Sequence, residues 1–68
     1  MIDWVSVFSS DIRKIGYDTS TGRMYIDFAD SDPYSEYCGV SVNLYQQFVS
    51  ASSVGDFYHR YIKDQYEC

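Results

Sequence analysis

Apolar and polar residues alternate with period two through the first half of the chain and recur at helical spacing in the second. WVSVF, residues 4–8, puts Val5 and Val7 on one side. That predicts a first short strand, or an extended arm, near residues 1–6. Ser9, Ser10 and Asp11 mark a turn. IRKIGYD, residues 12–18, reads as a strand with Ile15 and Tyr17 on one face. A polar loop ending in Gly22 suits a hairpin. MYIDF, residues 24–28, then places Met24, Ile26 and Phe28 on one face and Tyr25 and Asp27 on the other. A second turn over residues 29–33 contains Asp30, Asp32 and Pro33, which cannot donate to a ladder. YSEYC, residues 34–38, reads as a further strand.

After Gly39 the period changes. Leu44, Tyr45, Phe48 and Val49 share one face of a short helix. The residues from Ser50 to Ser53 break it, and Ser52 or Ser53 can cap a second helix, with Asp56 favourably near its start. Val54, Phe57, Tyr58, Tyr61 and Ile62 form an amphipathic stripe on that helix. Neither helix is long enough to hold alone in water, so each must pack its stripe on the sheet. The predicted class is α+β: a three- to four-stranded antiparallel meander covered on one face by two short C-terminal helices.

Composition sharpens this picture. With 68 residues, the chain is expected to be one domain over 1–68, and its core is small. Aromatics make up 19%, including eight Tyr, so large side chains fill that core with hydroxyls reaching outward. Ten acidic residues oppose five basic ones, for a net charge of -5. A negative field opposes phosphate binding at long range and favours a basic protein partner. Cys38 and Cys68 show no C-x-x-C or Cys/His metal spacing. The preferred reading is two free thiols in a reducing compartment; one bridge would require the tail to fold back. The N-terminal MIDWVSVF lacks signal-peptide features, and no apolar run approaches the ~20 residues that span a bilayer. The expectation is a cytoplasmic protein that neither crosses nor binds a membrane and holds no cofactor or metal.

SSVGDFYHRYIKDQY, near the C-terminus, concentrates the only His with several Tyr and basic residues. The helical reading accounts for most of it: Phe57, Tyr58, Tyr61 and Ile62 face the core, while His59, Arg60 and Lys63 fall away from it. A lone His without a second His or a paired Cys is weak evidence for catalysis or metal binding.

The spaced residues Ser53, Gly55, Phe57, Tyr58, Arg60, Ile62 and Tyr66, preceded in order by SSDIRKIGYD, MYIDF and YCGV followed by LYQQF, together resemble the KTSC domain, a small domain named after a C-terminal extension of some lysyl-tRNA synthetases. The spaced residues resemble its C-terminal signature. SSDIRKIGYD resembles its opening, MYIDF its second strand, and YCGV followed by LYQQF its helix entry. The resemblance runs from about Val7 to Tyr66. The chain departs from the pattern in three places. The family's Y-x-Y is here Tyr34-Ser-Glu-Tyr37, whose extra residue a bulge would absorb; its Pro is Ser41; and its usual Asn is His59. Family members are often basic, whereas this chain is acidic. The resemblance implies a free-standing binding module, and RNA binding has been suggested for the family.

Three function classes follow. The first is a non-enzymatic module for a protein partner, with the acidic turn Asp30-Ser-Asp32 and Glu36 facing basic groups; a small acidic protein of this kind suits a phage- or prophage-encoded modulator. The second is a single-stranded nucleic-acid binder, with Tyr25, Tyr34 and Tyr37 stacking on bases and Arg13, Lys14, Arg23, Arg60 and Lys63 reaching phosphates. The third, an enzyme, lacks any nucleophile elbow, phosphate loop or metal spacing and is not expected. The candidate binding residues are Tyr25, Tyr34, Tyr37, His59, Arg60 and Lys63. Pairing of open sheet faces makes a homodimer a further expectation.

Overall fold

The computed structural model describes residues 2–30 and 34–68. Four strands, β1 (Ile2–Ser6), β2 (Ile12–Asp18), β3 (Arg23–Phe28) and β4 (Ser35–Tyr37), form one antiparallel sheet in the order β1-β2-β3-β4. Two helical segments follow, α1 (Val42–Val49) and α2 (Val54–Phe57); the latter passes directly into a π-helical turn, Tyr58–Ile62. This is the predicted meander with two C-terminal helices, and the N-terminal segment is a strand. The predicted turn over residues 29–33 includes Ser31, Asp32 and Pro33, which lie outside the described residues.

One face of the sheet carries the core. Ile15, Tyr17, Met24, Ile26 and Tyr37 are buried there beneath Phe48, Val54 and Ile62 from the helical layer. Ile12 is also buried, although it stands an odd number of positions before Ile15. The register explains this. Ile12 pairs with Phe28 and Lys14 with Asp27, so Arg13 is an extra residue in β2. A bulge of this kind resets the alternation and lets both isoleucines point inward. The Arg13 guanidinium reaches back to the Ala29 carbonyl at 2.6 Å.

The connections follow their sequence chemistry. The β2–β3 loop is held by Asp18, whose side chain accepts hydrogen bonds from both the Ser20 amide and hydroxyl. Gly22 sits at φ 74°, where a side chain would be strained, and its amide donates to the Asp18 carbonyl at 2.9 Å. The Ser41 hydroxyl accepts from the Leu44 amide and caps α1; Ser53 does the same for α2 through the Asp56 amide.

Two expectations are corrected here. The second helix does not continue in α geometry. The Lys63 amide donates to the Tyr58 carbonyl five residues back, and this wider turn shifts the side chains. Ile62 is therefore fully buried, whereas Tyr61, placed by the α spacing in the same stripe, is 54% exposed. The second correction concerns the cysteines: Cys38 and Cys68 form a disulfide instead of two free thiols. Asp64 adopts a positive φ of 61°, the tail turns back along β4, and the Cys38 amide donates to the Tyr66 carbonyl at 2.8 Å. That return brings the two Cα atoms to 4.9 Å, within ordinary bridging reach.

Candidate functional site

The helical layer covers one sheet face, and the opposite face has no covering element among the described residues. Its residues follow from the pleat and the register. Trp4 stands opposite Gly16, and Gly16 opposite Tyr25, which in turn stands opposite Glu36. Trp4, Tyr25 and Tyr34 gather there. The Trp4 and Tyr34 rings meet edge to face at 5.4 Å, Tyr25 and Tyr34 at 5.3 Å, and Trp4 lies 6.2 Å from Tyr25. Trp4 rests against Gly16: a Cβ at that position would lie 2.9 Å from two indole carbons and 2.7 Å from the Ile2 side chain. The glycine is thus the floor that lets the indole lie down on the sheet.

Charge surrounds this cluster. The Lys14 ammonium sits 4.8 Å above the Trp4 ring. The Arg23 guanidinium pairs with Glu36 at 2.6 Å. Asp27, two positions from Tyr25 on β3, lies on the same side of the strand. Among the described residues, three carboxylates along this face, from Asp18, Asp27 and Glu36, outnumber the two cations, from Lys14 and Arg23. Asp18 is held below the usual carboxylate range by its hydrogen bonds from Ser20.

The six candidate residues do not form one site. Tyr25 and Tyr34 meet on the uncovered face, with Tyr34 47% exposed. Tyr37 is on the other side of the sheet, only 8% exposed, and its hydroxyl donates to Tyr58 at 3.2 Å. Burial, followed by that hydrogen bond, pushes its phenol well above the ordinary tyrosine range. The anticipated bulge between Tyr34 and Tyr37 is absent: β4 pairs with β3 in regular register, so residues three apart point to opposite faces. His59, Arg60 and Lys63 belong to the helical layer, across the sheet from the aromatic cluster. His59 borders a cleft of about 270 Å³ with Asp11, Phe28 and Tyr58. Arg60 is engaged by Asp56 at 2.9 Å, one helical turn before it. The five basic residues do not gather in one patch: Arg13 bonds the Ala29 carbonyl, Lys14 and Arg23 stand on the uncovered face against Trp4 and Glu36, and Arg60, paired with Asp56, lies with Lys63 in the helical layer.

Trp4 is the member of the cluster that sequence reasoning missed. The signal was present: if Val5 and Val7 face inward, Trp4 stands on the opposite parity, next to no predicted core position.

The comparisons agree with this architecture. The KTSC domain family model matches residues 8–66. The crystal structure of a KTSC domain protein from Yersinia pestis superposes with a TM-score of 0.90 at 33% sequence identity, covering 97% of this chain and 92% of that chain. No curated protein matches the chain. Among the described residues no helix is long and apolar enough to cross a membrane.

Proposed function

This chain belongs to the KTSC domain family, and we propose that it is a non-enzymatic binding module that seats a protein partner on its uncovered sheet face. The observation that carries this reading is the cluster of Trp4, Tyr25 and Tyr34, with Asp27 and Glu36 beside it. Aromatic side chains dominate the energetics of protein interfaces, because each buries a large area at low entropic cost. The neighbouring carboxylates select a partner segment that presents Lys or Arg next to apolar groups. The chain's net charge of -5 draws such a partner in at long range.

Single-stranded RNA fits the same face less well. Base stacking needs open ring faces, and the Trp4 ring has Lys14 above it and lies against Gly16. Phosphates would also meet more carboxylates than cations.

The test is a pair of titrations of isotopically labelled protein, one with a set of short Arg- and Lys-containing peptides, one with a single-stranded RNA pool. The expected result is chemical-shift change at Trp4, Tyr25 and Tyr34 with the basic peptides, weaker at higher salt and lost in Tyr34→Ala. Changes at these residues with RNA and none with the peptides would transfer the function to nucleic acid.

A further inference from the structure

The disulfide lies beside a third metal-ligating group. A Glu36 carboxylate oxygen and the sulfurs of Cys38 and Cys68 all lie within 4.8 Å of one another. Glu36 and Cys38 are two residues apart where β4 ends, so the pleat turns both side chains to one side. Cys68 arrives from the returning tail. The arrangement does not depend on the bridge alone. The Cys38 amide still has the Tyr66 carbonyl, and Tyr66 packs against the core. These contacts tie the tail to β4 and the core at points other than the sulfurs.

We propose that, once reduced, Cys38 and Cys68 join Glu36 in a Zn²⁺ site, so that the tail is stapled to β4 by a disulfide or by a metal according to redox state. The chemistry balances in two steps. A cellular dithiol reduces the bridge by thiol–disulfide exchange, giving two cysteine thiols and the oxidised dithiol. Zn²⁺ then displaces both thiol protons and binds two thiolates and one carboxylate, with water in the fourth position. Thiolates about 2.3 Å from one tetrahedral zinc lie roughly 3.8 Å apart, which small side-chain rotations provide from the bridged positions. Arg23, paired with one oxygen of Glu36 at 2.6 Å, orients the carboxylate and offsets the excess negative charge of the three ligands. Small domains commonly need such a staple, and this one would keep it in reducing and oxidising surroundings alike.

Cobalt(II) titration of the reduced protein in oxygen-free buffer tests this. The expected result is one equivalent of Co²⁺ bound with a thiolate-to-metal charge-transfer band, displaced by Zn²⁺ and missing from the oxidised protein. Cys38→Ser should abolish the band. Glu36→Gln, an exposed substitution that leaves both sulfurs in place, should weaken binding on the order of tenfold or more. Amide spectra recorded alongside report the fold; if reduction unfolds the chain, Zn²⁺ should refold it. The proposal is overturned by absence of the band, by an equal band in the oxidised protein, by unchanged Co²⁺ affinity in Glu36→Gln, or by failure of Zn²⁺ to refold a reduced, unfolded chain.

Discussion

Gly16 decides more than its size suggests. It sits in the middle of β2, where glycine ordinarily weakens a strand. Here the missing side chain makes room for Trp4 and Ile2 from the edge strand. Gly16→Val would drive a branched side chain into both. The expected cost is ~1–3 kcal/mol, from overpacking that lifts β1 off its neighbour. Urea unfolding gives the loss, and a red shift of Trp4 emission reports the displaced indole. A small loss with unchanged emission would show that the indole does not need the glycine floor. The same scale separates Tyr34 from Tyr37. Both are candidate binding residues by sequence, yet one is an open aromatic surface and the other a buried member of the core.

At the scale of elements, the π turn matters most. Helical spacing in the sequence assigned Tyr61 and Ile62 to one buried stripe. The five-residue hydrogen bond from Lys63 to Tyr58 widens the turn, sending Ile62 inward and Tyr61 outward. The two alanine variants should therefore differ sharply. Ile62→Ala is expected to cost ~2–5 kcal/mol, the range for a large buried aliphatic residue. Tyr61→Ala is expected to cost about 1 kcal/mol or less, chiefly its ring contact with Phe57 at 4.7 Å. Equal losses in chemical denaturation would mean that the segment is an ordinary α-helix in solution. The bulge at Arg13 shows the same logic in a strand. One additional residue brings Ile12 to the core face, and no local sequence signal announces it.

For the whole molecule, stability depends on burying large aromatic residues with hydroxyls still attached. The Tyr17 hydroxyl donates to the Val40 carbonyl at 2.6 Å, while Tyr37 and Tyr45 are both raised in pKa, first of all by burial. In the unfolded chain these two phenols lose their protons near pH ~10. The folded protein holds its protons to higher pH, so the unfolded state binds fewer protons above that point and stability falls as pH rises. Asp18 works in the opposite window: its lowered pKa supports the fold above the usual carboxylate range and ceases to do so as pH falls through its folded value. Denaturation midpoints measured from pH 7 to 11 should decline above pH ~10, and Tyr37→Phe should flatten that decline. A flat profile in the native protein would mean that neither phenol is shielded from solvent. At this scale too, the candidate residues divide: Tyr25 and Tyr34 on the uncovered sheet face, Tyr37 in the core, and His59, Arg60 and Lys63 in the helical layer on the opposite side.

Much of this architecture is legible in the sequence, because local pattern and global fold coincide there. Met24, Ile26 and Phe28 alternate cleanly on β3; Leu44, Tyr45, Phe48 and Val49 mark α1; Ser53 caps α2. The KTSC motifs occur in order, and a family match over residues 8–66 agrees with them. What remained hidden depends on contacts between distant segments. The Cys38–Cys68 bridge needs the tail to turn at Asp64, and the aromatic cluster needs β1 laid over Gly16. The opposite facing of Tyr34 and Tyr37 needs a regular β3–β4 register. Periodicity fixes which side of its own element a residue occupies; only packing between elements decides which side is covered and which residues meet.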